Sequence, residues 1–236
     1  MKQASKLKGD RVLKPKHYLP ADIERTSLRI ITKELEQLGL TPPPETEAVV
    51  RRVIHTTADF DYARNLCFTP DAVQKGVQTL QGGAVIVTDT NMTLSGVSKP
   101  GLSKLNSQAV CYMADPEVAE QAQKNGTTRA VASVEHALTV YPHAIFAVGN
   151  APTALITLSE KIRNGARPAM VIGVPVGFVN VEESKRELFD VCQQFDIPAI
   201  VAMGRKGGST VAAAICNALI YSAAQMLDPS DRGWQG

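Results

Sequence analysis

The sequence predicts a three-layer α/β/α sandwich around a mainly parallel, five-stranded sheet. Short runs rich in Val, Ile and Ala recur from residue 84 onward, and most are apolar at every position, as expected for strands covered on both faces. The runs are 84–88, 109–112, 144–148, 169–172 and 199–202. Segments with helical periodicity separate them, at roughly 116–124, 128–140, 152–164 and 182–194, with a last one at 209–226. This alternation indicates right-handed crossovers and a Rossmann-like sheet.

Three helices are predicted before the first strand. Pro20 opens the first, which runs to about residue 38 and stops at Gly39. A proline-rich turn follows, and the second helix begins at about residue 45 and carries His55. The third has Thr69 as its N-cap and Pro70 in its first position, and it ends at the following Gly-Gly pair.

One α/β domain over residues 20–227 accounts for all these elements. Residues 1–19 predict a flexible basic arm, and residues 228–236 predict a disordered tail. Residues 89–107, rich in Asn, Ser and Gly, predict a long polar connection, and a loop of that length in a compact domain is often functional.

Composition excludes several classes of function. The chain has 25 Lys and Arg against 23 Asp and Glu, a formal net charge of +2, so it shows no general affinity for nucleic acid or a membrane surface. The four cysteines form no CxxC pair, and the four histidines show no metal-ligand spacing, so no metal centre is predicted. We find no signal peptide and no apolar run long enough to span a bilayer, and we predict a cytoplasmic protein with reduced thiols.

His55 is the candidate proton-transfer residue. It follows a helical apolar stripe within residues 49–54, so it should lie at the edge of the core. Its side chain should be partly shielded from water but still accessible to a ligand. Its ordinary pKa near ~6.5 allows proton exchange at cellular pH. If the helix continues, Arg51 and Asp59 flank the imidazole one turn away on either side. The alternative is a structural histidine that bonds a backbone carbonyl.

Small-residue loops follow three of the predicted strands, at 149–153, 173–178 and 204–209. Parallel sheets bind ligands beyond the carboxyl ends of their strands, and each loop leads into a helix N-terminus that attracts anions. Candidate ligand contacts in two of the loops are Asn150, Ala151, Pro152, Thr153, Gly204, Arg205, Lys206, Gly207, Gly208 and Ser209. Taken singly, each loop is also compatible with a tight turn, and neither GxGxxG nor GxxxxGK[ST] is present.

Three further polar residues are candidates for a site. Ser27 either bonds back to its own helix or points into a ligand site. Asp89 follows the first strand and is expected to accept hydrogen bonds from helix or loop N–H groups, since a lone Asp does not make a metal site. Arg129 is either an exposed first-turn arginine or a fork for a ligand carboxylate.

Five segments of the chain together resemble one family. They are 54–60, 88–92, 149–154, 173–179 with 183–185, and 204–209. In order, and within a match from about residue 20 to 225, they are similar to the precorrin-8X methylmutases, also called precorrin isomerases. Three of these motifs resemble the cobalt-precorrin-8 methylmutases more closely than the cobalt-free enzymes. They are Thr-Ala-Asp-Phe, Thr-Asp-Thr-Asn-Met and Gly-Arg-Lys-Gly-Gly-Ser.

The resemblance implies an isomerase of cobalamin (vitamin B12) biosynthesis. Such an enzyme moves a methyl group from C-11 to C-12 of cobalt-precorrin-8 or precorrin-8X and gives a cobyrinic or hydrogenobyrinic acid. It implies a homodimer without an added cofactor, in which any cobalt belongs to the tetrapyrrole substrate.

The resemblance also implies roles for individual residues. The family's catalytic histidine falls on His55, its substrate-contacting serine on Ser27 and its substrate-binding arginine on Arg129. We add Thr57 and Thr88, which lie in two of the matching segments, as substrate contacts. The family usually has Ser after the arginine, whereas this chain has Ala130, so one hydroxyl contact is missing.

Two other functions remain open from the sequence. A non-catalytic corrinoid-binding carrier would use the same pocket. A generic phosphate- or nucleotide-using α/β enzyme would share the fold, although the missing phosphate motifs count against it.

Overall fold

The structure, a computed structural model, describes residues 19–232. Residues 1–18 of the predicted basic arm and residues 233–236 of the predicted tail lie outside the described residues. The first four helices are α1 (Pro20–Gln37), α2 (Pro44–Thr57), α3 (Tyr62–Asn65) and α4 (Ala72–Gln81). The others are α5 (Asn91–Gly96), α6 (Lys99–Lys104), α7 (Pro116–Lys124), α8 (Arg129–Val140), α9 (Pro152–Arg163), α10 (Val181–Gln194) and α11 (Ser209–Ala223).

One sheet of six strands lies at the centre. The strands are β1 (Leu66–Phe68), β2 (Val85–Thr88), β3 (Gln108–Val110), β4 (Ile145–Val148), β5 (Met170–Gly173) and β6 (Ala199–Ala202), in the order β1-β6-β5-β4-β2-β3. All neighbouring pairs are parallel except β1 with β6. The five predicted strands and the mainly parallel α/β architecture are confirmed. The antiparallel edge strand β1 was not predicted, because three residues that follow a helix directly give no period to detect.

Alternate strand residues face opposite layers, which explains why the strands are apolar throughout. On β4, Ile145 and Ala147 pack with residues of α1, α2, α4 and α11, whereas Phe146 and Val148 pack with α8, α9 and α10. Each face of the sheet is therefore covered by an apolar core. The loops at the carboxyl edge of the sheet lie outside these cores, where a ligand can reach them.

The predicted long polar connection over 89–107 is wrong, because two short helices occupy it. Thr90 caps α5 by accepting a hydrogen bond from the N–H of Thr93, and Ser98 caps α6 by accepting one from Gly101. Each helix is only six residues long, too short for helical periodicity to show in the sequence.

Thr69 does not cap a helix as predicted. Helix α4 begins at Ala72, after Asp71 in the left-handed conformation with φ of 56°. The N–H of Thr69 donates to the carbonyl of Ala199 at 3.0 Å, and its hydroxyl accepts from the Ala199 N–H at 2.8 Å. The residue thus extends the pairing of β1 with β6.

The predicted tail is ordered where it is described. Pro229–Arg232 form a 3-10 helix, and the Arg232 side chain is only 4% exposed. Its guanidinium donates to the carbonyls of Met226 and Leu227 and pairs with Glu24 of α1. These tertiary contacts, which sequence composition does not reveal, hold the segment in place. Within residues 19–232, no helix combines the length and apolarity needed to cross a bilayer.

Candidate functional site

The buried carboxylate of Asp89 holds together two loops at the carboxyl edge of the sheet. It accepts hydrogen bonds from the backbone N–H groups of Gly149, Asn150 and Ala151, each at 2.8 Å. Burial raises the pKa of Asp89 above its ordinary value, although the three N–H donors act in the opposite direction. The interpretation of Asp89 as an acceptor of hydrogen bonds from loop N–H groups is confirmed. These bonds fix the loop from which α9 begins.

The second half of the Gly204–Ser209 loop packs closely against its neighbours, whereas Gly204 borders open space. A Cβ on Gly207 would lie 2.1 Å from the carbonyl oxygen of Val174, and one on Gly149 would lie 2.8 Å from Cα of Ser209. The hydroxyls of Ser209 and Thr90 share a hydrogen bond at 2.8 Å. The predicted contacts Gly207, Gly208 and Ser209 therefore form a close-packed joint between β5, β6 and α5, with the Gly208 N–H donating to the Val174 carbonyl.

Both cations of this loop are paired within the chain. Arg205 Nε donates to Glu182 at 3.0 Å, and Lys206 Nζ donates to Asp59 and Asp61, each at 2.6 Å. The two carboxylates hold the pKa of Lys206 above its ordinary value. Arg205 and Lys206 stay predicted ligand contacts, but an anionic ligand would have to displace these internal partners to reach them.

Lys185 holds this loop in place through hydrogen bonds. It lies in one of the segments that carry the family resemblance, but no role could be assigned to it from the sequence. The residue is fully buried on α10, and its ammonium group donates to the carbonyls of Gly204 at 2.7 Å and Lys206 at 2.8 Å. Burial lowers the pKa of Lys185 from 10.5 to about 8. The sequence did contain a signal for a buried lysine, because Lys185 occupies an apolar position in the helical pattern of α10. It did not show which groups the lysine contacts.

Lys185→Met is expected to lower the free energy of unfolding by about 1–3 kcal/mol, since two partly buried carbonyls would lose their charged donor. The unfolded chain keeps a proton that the folded chain releases between pH 8 and 10.5, so this group makes wild-type stability rise with pH there. The variant should lack that rise. Urea denaturation at pH 7 and at about pH 10 measures both effects, and equal pH dependence in the two proteins would contradict the assignment.

Arg129 and the 150–153 segment meet at two adjacent helix N-termini. Thr128 caps α8 by accepting from the Val131 N–H, and its hydroxyl lies 3.3 Å from that of Thr153 near the start of α9. Arg129 and Asn150 are exposed, Ala151 precedes α9 and Pro152 begins it. Arg129 makes no ion pair with any described residue within the salt-bridge distance. These predicted contacts remain open to a ligand.

Ala130, which directly follows Arg129, is buried in the core between the sheet and α8 to α10. Its side chain therefore packs against other apolar residues. Ala130 therefore fills space in the core. The polar side chains at the start of α8 are those of Thr128 and Arg129.

Three predicted hydroxyl contacts are satisfied by backbone carbonyls. Thr88 is fully buried and its hydroxyl lies within hydrogen-bond distance of the carbonyls of Thr90 and Val110, so a ligand cannot reach it in this conformation. The hydroxyl of Thr57 donates to Val53, and that of Ser27 donates to Ile23 at 2.9 Å. For Ser27 the first interpretation, bonding within its own helix, is confirmed.

His55 lies half-buried in the last turn of α2 and forms one wall of a hollow of about 260 Å³. The other lining residues are Pro20, Ala21, Ile23, Glu24 and Pro229. The imidazole is thus neither locked in the core nor freely solvated. A small group or the edge of a larger ligand can reach it.

The predicted flanks of His55 are wrong. Arg51 pairs with Glu47 at 3.0 Å, and Asp59 pairs with Lys206. Helix α2 ends at Thr57 because Ala58 adopts the left-handed conformation with φ of 53°. Asp59 therefore does not occupy the next helical turn.

The charges around His55 come from three separate elements. Glu24 on α1 pairs with Arg52 of α2 at 2.7 Å and with Arg232 of the 3-10 helix. Both guanidinium groups also lie over the Tyr221 ring, at 5.2 and 3.9 Å from its centroid. Burial lowers the pKa of His55 below 6.5, the two arginines lower it further, and Glu24 opposes them. At neutral pH the free imidazole is therefore mainly uncharged.

The two parts of the site are joined by one ion pair. Asp59 lies two residues beyond the end of α2, and its bond to Lys206 ties this end of the helix that bears His55 to the Gly204–Ser209 loop. The histidine hollow and the carboxyl-edge loops thus belong to one connected framework.

Three of the four thiols are poorly suited to act as nucleophiles in this framework. Burial raises the pKa values of Cys192 and Cys216 to about 12, and it also raises that of Cys67. Over residues 19–232, no three His, Cys, Asp or Glu side chains cluster as metal ligands would. The titratable group that faces a hollow and changes charge near neutrality is the imidazole of His55.

Comparison with known proteins gives one consistent result. The family model described as precorrin-8X methylmutase matches residues 22–222. The cobalt-precorrin-8 methylmutase of Priestia megaterium is 42% identical over 207 residues, covering 87% of this chain and 89% of the relative. That of Salmonella typhimurium is also 42% identical, over 214 residues, covering 87% and 97%. The crystal structure of precorrin-8x methyl mutase from Thermus thermophilus superposes with a TM-score of 0.78 at 44% identity, covering 86% and 96%.

Proposed function

The chain belongs to the precorrin-8X methylmutase family, and we propose that His55 drives the methyl transfer of this isomerase of cobalamin biosynthesis. The reaction moves a methyl group from C-11 to C-12 of a precorrin-8 macrocycle. The single observation that carries the assignment is the half-buried imidazole of His55 in the wall of the hollow beside α1, at the end of a helix tied to the carboxyl-edge loops.

An acid–base group is sufficient for this rearrangement. The methyl group migrates within one molecule, so atoms and electrons balance without a nucleophile or an oxidant. The imidazolium form of His55 donates a proton to the conjugated ring system, which draws electron density away from the C-11–methyl bond. The imidazole takes the proton back once the methyl group has reached C-12. Positioned proton transfer of this kind contributes ~10²–10⁴ in rate.

The acetate and propionate arms of the substrate call for cations and helix N-termini. Arg129 begins α8, where its guanidinium and the positive end of the helix dipole favour carboxylates. Asn150 to Thr153 surround the start of α9 and offer their side chains, since the N–H groups of Asn150 and Ala151 already donate to Asp89. We assign these exposed groups to substrate binding. Arg205 and Lys206 contribute by fixing the loop and the end of α2, and they reach the substrate only by exchanging Glu182 or Asp59 for a carboxylate arm.

Cobalt-precorrin-8 is the proposed natural substrate. The curated relatives compared at 39–42% identity are named cobalt-precorrin-8 methylmutases, and this naming supports the proposal. The name precorrin-8X methylmutase is carried by the Thermus thermophilus protein at 44% identity and by a Pseudomonas aeruginosa relative at 36%. The cobalt is part of the substrate. We propose that the enzyme needs no cofactor of its own, because an intramolecular, redox-neutral shift consumes none.

A homodimer would complete the site. A hollow of about 260 Å³ is smaller than the ~300–1,000 Å³ that enclose ordinary small ligands, and a corrin macrocycle is larger than those. Phe178 and Val179, beside Arg205, are 83% and 76% exposed, and exposed apolar clusters mark interaction surfaces. We propose that a second copy covers this cluster and encloses the ring. The cytoplasmic location stays a prediction from the sequence.

Incubation with substrate followed by chromatography of the released pigment tests the function. Cobalt-precorrin-8 is expected to be converted into cobyrinic acid, with slower conversion of precorrin-8X. A corrinoid carrier would return the pigment unchanged, so recovery of unaltered substrate after many turnover times would contradict the proposal. A thermal shift with ATP and none with a corrinoid would favour the nucleotide-using alternative.

A further inference from the structure

The chain after α11 returns to the helix that faces the catalytic histidine. The family model ends at residue 222, and the described residues beyond it run to Arg232. In this short stretch Pro229 lines the hollow of His55, and Arg232 lies against Glu24 of α1. A segment outside the family match therefore supplies part of the wall around the imidazole.

Arg232 is held by more contacts than a surface arginine makes. Its Nε donates to the carbonyl of Met226 at 2.9 Å, its Nη2 donates to that of Leu227 at 2.8 Å, and its Nη1 donates to Glu24. The guanidinium lies 3.9 Å from the centroid of the Tyr221 ring. With 4% of the side chain exposed, this charge acts in a medium that screens it less than water does.

Glu24 connects this arginine to the imidazole. Burial alone would raise the pKa of Glu24, but hydrogen bonds from Arg232 and Arg52 outweigh it and hold that pKa below its ordinary value. The carboxylate is therefore charged when His55 titrates. Glu24 on α1, Arg52 on α2 and Arg232 on the 3-10 helix are the charged groups that act on His55 from the elements around it.

We propose that Arg232 is a positioning residue for His55: it fixes Glu24 between two guanidinium groups and holds Pro229 as a wall of the hollow. The inference rests on the proposed function only in treating His55 as the catalytic group. The geometry itself, an arginine from the chain's end bound to the carboxylate beside the imidazole, does not depend on the reaction.

Loss of Arg232 is expected to raise the pKa of His55. Two cations and one carboxylate now act on His55, and removing one cation leaves a balanced pair, so the imidazolium becomes easier to form. Detachment of the Pro229 wall would also admit water and favour the charged form. Both effects raise the pKa of His55, whereas replacement of Glu24 by Gln removes the stabilising carboxylate and lowers it.

NMR titration of His55 in the full-length protein tests the proposal. Arg232→Met is expected to raise the His55 midpoint by about 0.5–1 pH unit, and Glu24→Gln to lower it. Arg232→Lys, which keeps the charge, should restore most of the wild-type value. Arg25→Met is the matched control, since Arg25 also binds the C-terminal segment, through Asp228 at 2.9 Å, but does not pair with Glu24.

An unchanged midpoint in folded Arg232→Met would overturn the proposal, as would an equal shift in Arg25→Met. If Arg232→Met does not fold, Glu24→Gln and Arg232→Lys decide it: a His55 midpoint that is unchanged in Glu24→Gln, or one that is strongly altered in Arg232→Lys, would overturn the proposal. The titration needs no substrate. A midpoint that moves while the pH profile of kcat/KM stays fixed would support the positioning role and contradict the catalytic assignment of His55 instead.

Discussion

His55→Ala is expected to lower kcat for methyl migration by about 10²–10⁴, because the proton donor to the ring system would be lost. Substrate affinity should change little, since the groups assigned to the carboxylate arms lie on α8 and α9. The fold should also persist, because His55 is half-buried at a helix end and borders an existing hollow. Single-turnover kinetics followed through the corrinoid spectrum, together with a binding titration, measure both quantities.

His143→Ala is the matched control for this experiment. His143 is exposed, and its ring bonds the carbonyl of Arg167 at 3.0 Å, far along the chain from α2. It should retain the wild-type rate. A His55→Ala protein that converts substrate at close to the parental rate would show that another group moves the proton.

Asp89→Ala is expected to lower the free energy of unfolding by about 2–5 kcal/mol. The three backbone N–H groups of Gly149, Asn150 and Ala151 would lose their acceptor, and each uncompensated buried donor costs ~1–3 kcal/mol, in part relieved by water at the two more exposed positions. The start of α9 would loosen with them, so substrate affinity should fall as well. Chemical denaturation and a binding titration measure the two effects.

Asp190→Ala removes the same group from an exposed site on α10 and should change stability by less than ~0.5 kcal/mol. Asp89→Asn keeps the shape and one acceptor oxygen, so its loss should be intermediate. Equal stability of Asp89→Ala and Asp190→Ala would mean that the loop does not depend on the carboxylate.

The parts of the fold that could be predicted are those with a long or repeated pattern. Strands β2 to β6 and helices α7 to α11 were found because apolar runs alternate with amphipathic segments over many residues. Strand β1 follows α3 without a turn between them, so its three residues do not stand apart as an apolar run, and α5 and α6, with six residues each, are too short for a helical period to be counted. The 3-10 helix at the chain's end depends on Arg232, whose partner Glu24 is 208 positions away.

The candidate site divides in the same way. The sequence indicated His55, the carboxyl-edge loops and Arg129, since each is tied to a local motif. It could not indicate what these groups contact: Lys206 meets Asp59, 147 positions away, and Lys185 supports the loop through backbone carbonyls that carry no sequence signal. The sequence also did not indicate where α2 ends, because Ala58 takes a left-handed conformation that glycine or asparagine would normally mark.

The pH dependence of kcat/KM, set beside the NMR titration of His55 in the same wild-type protein, tests the central claim most directly. If the imidazolium donates the proton, kcat/KM should fall as pH rises, and its midpoint should equal that of His55 and lie below 6.5. A profile that stays flat from about pH 5 to pH 8, or one whose midpoint differs from that of His55, would contradict the account.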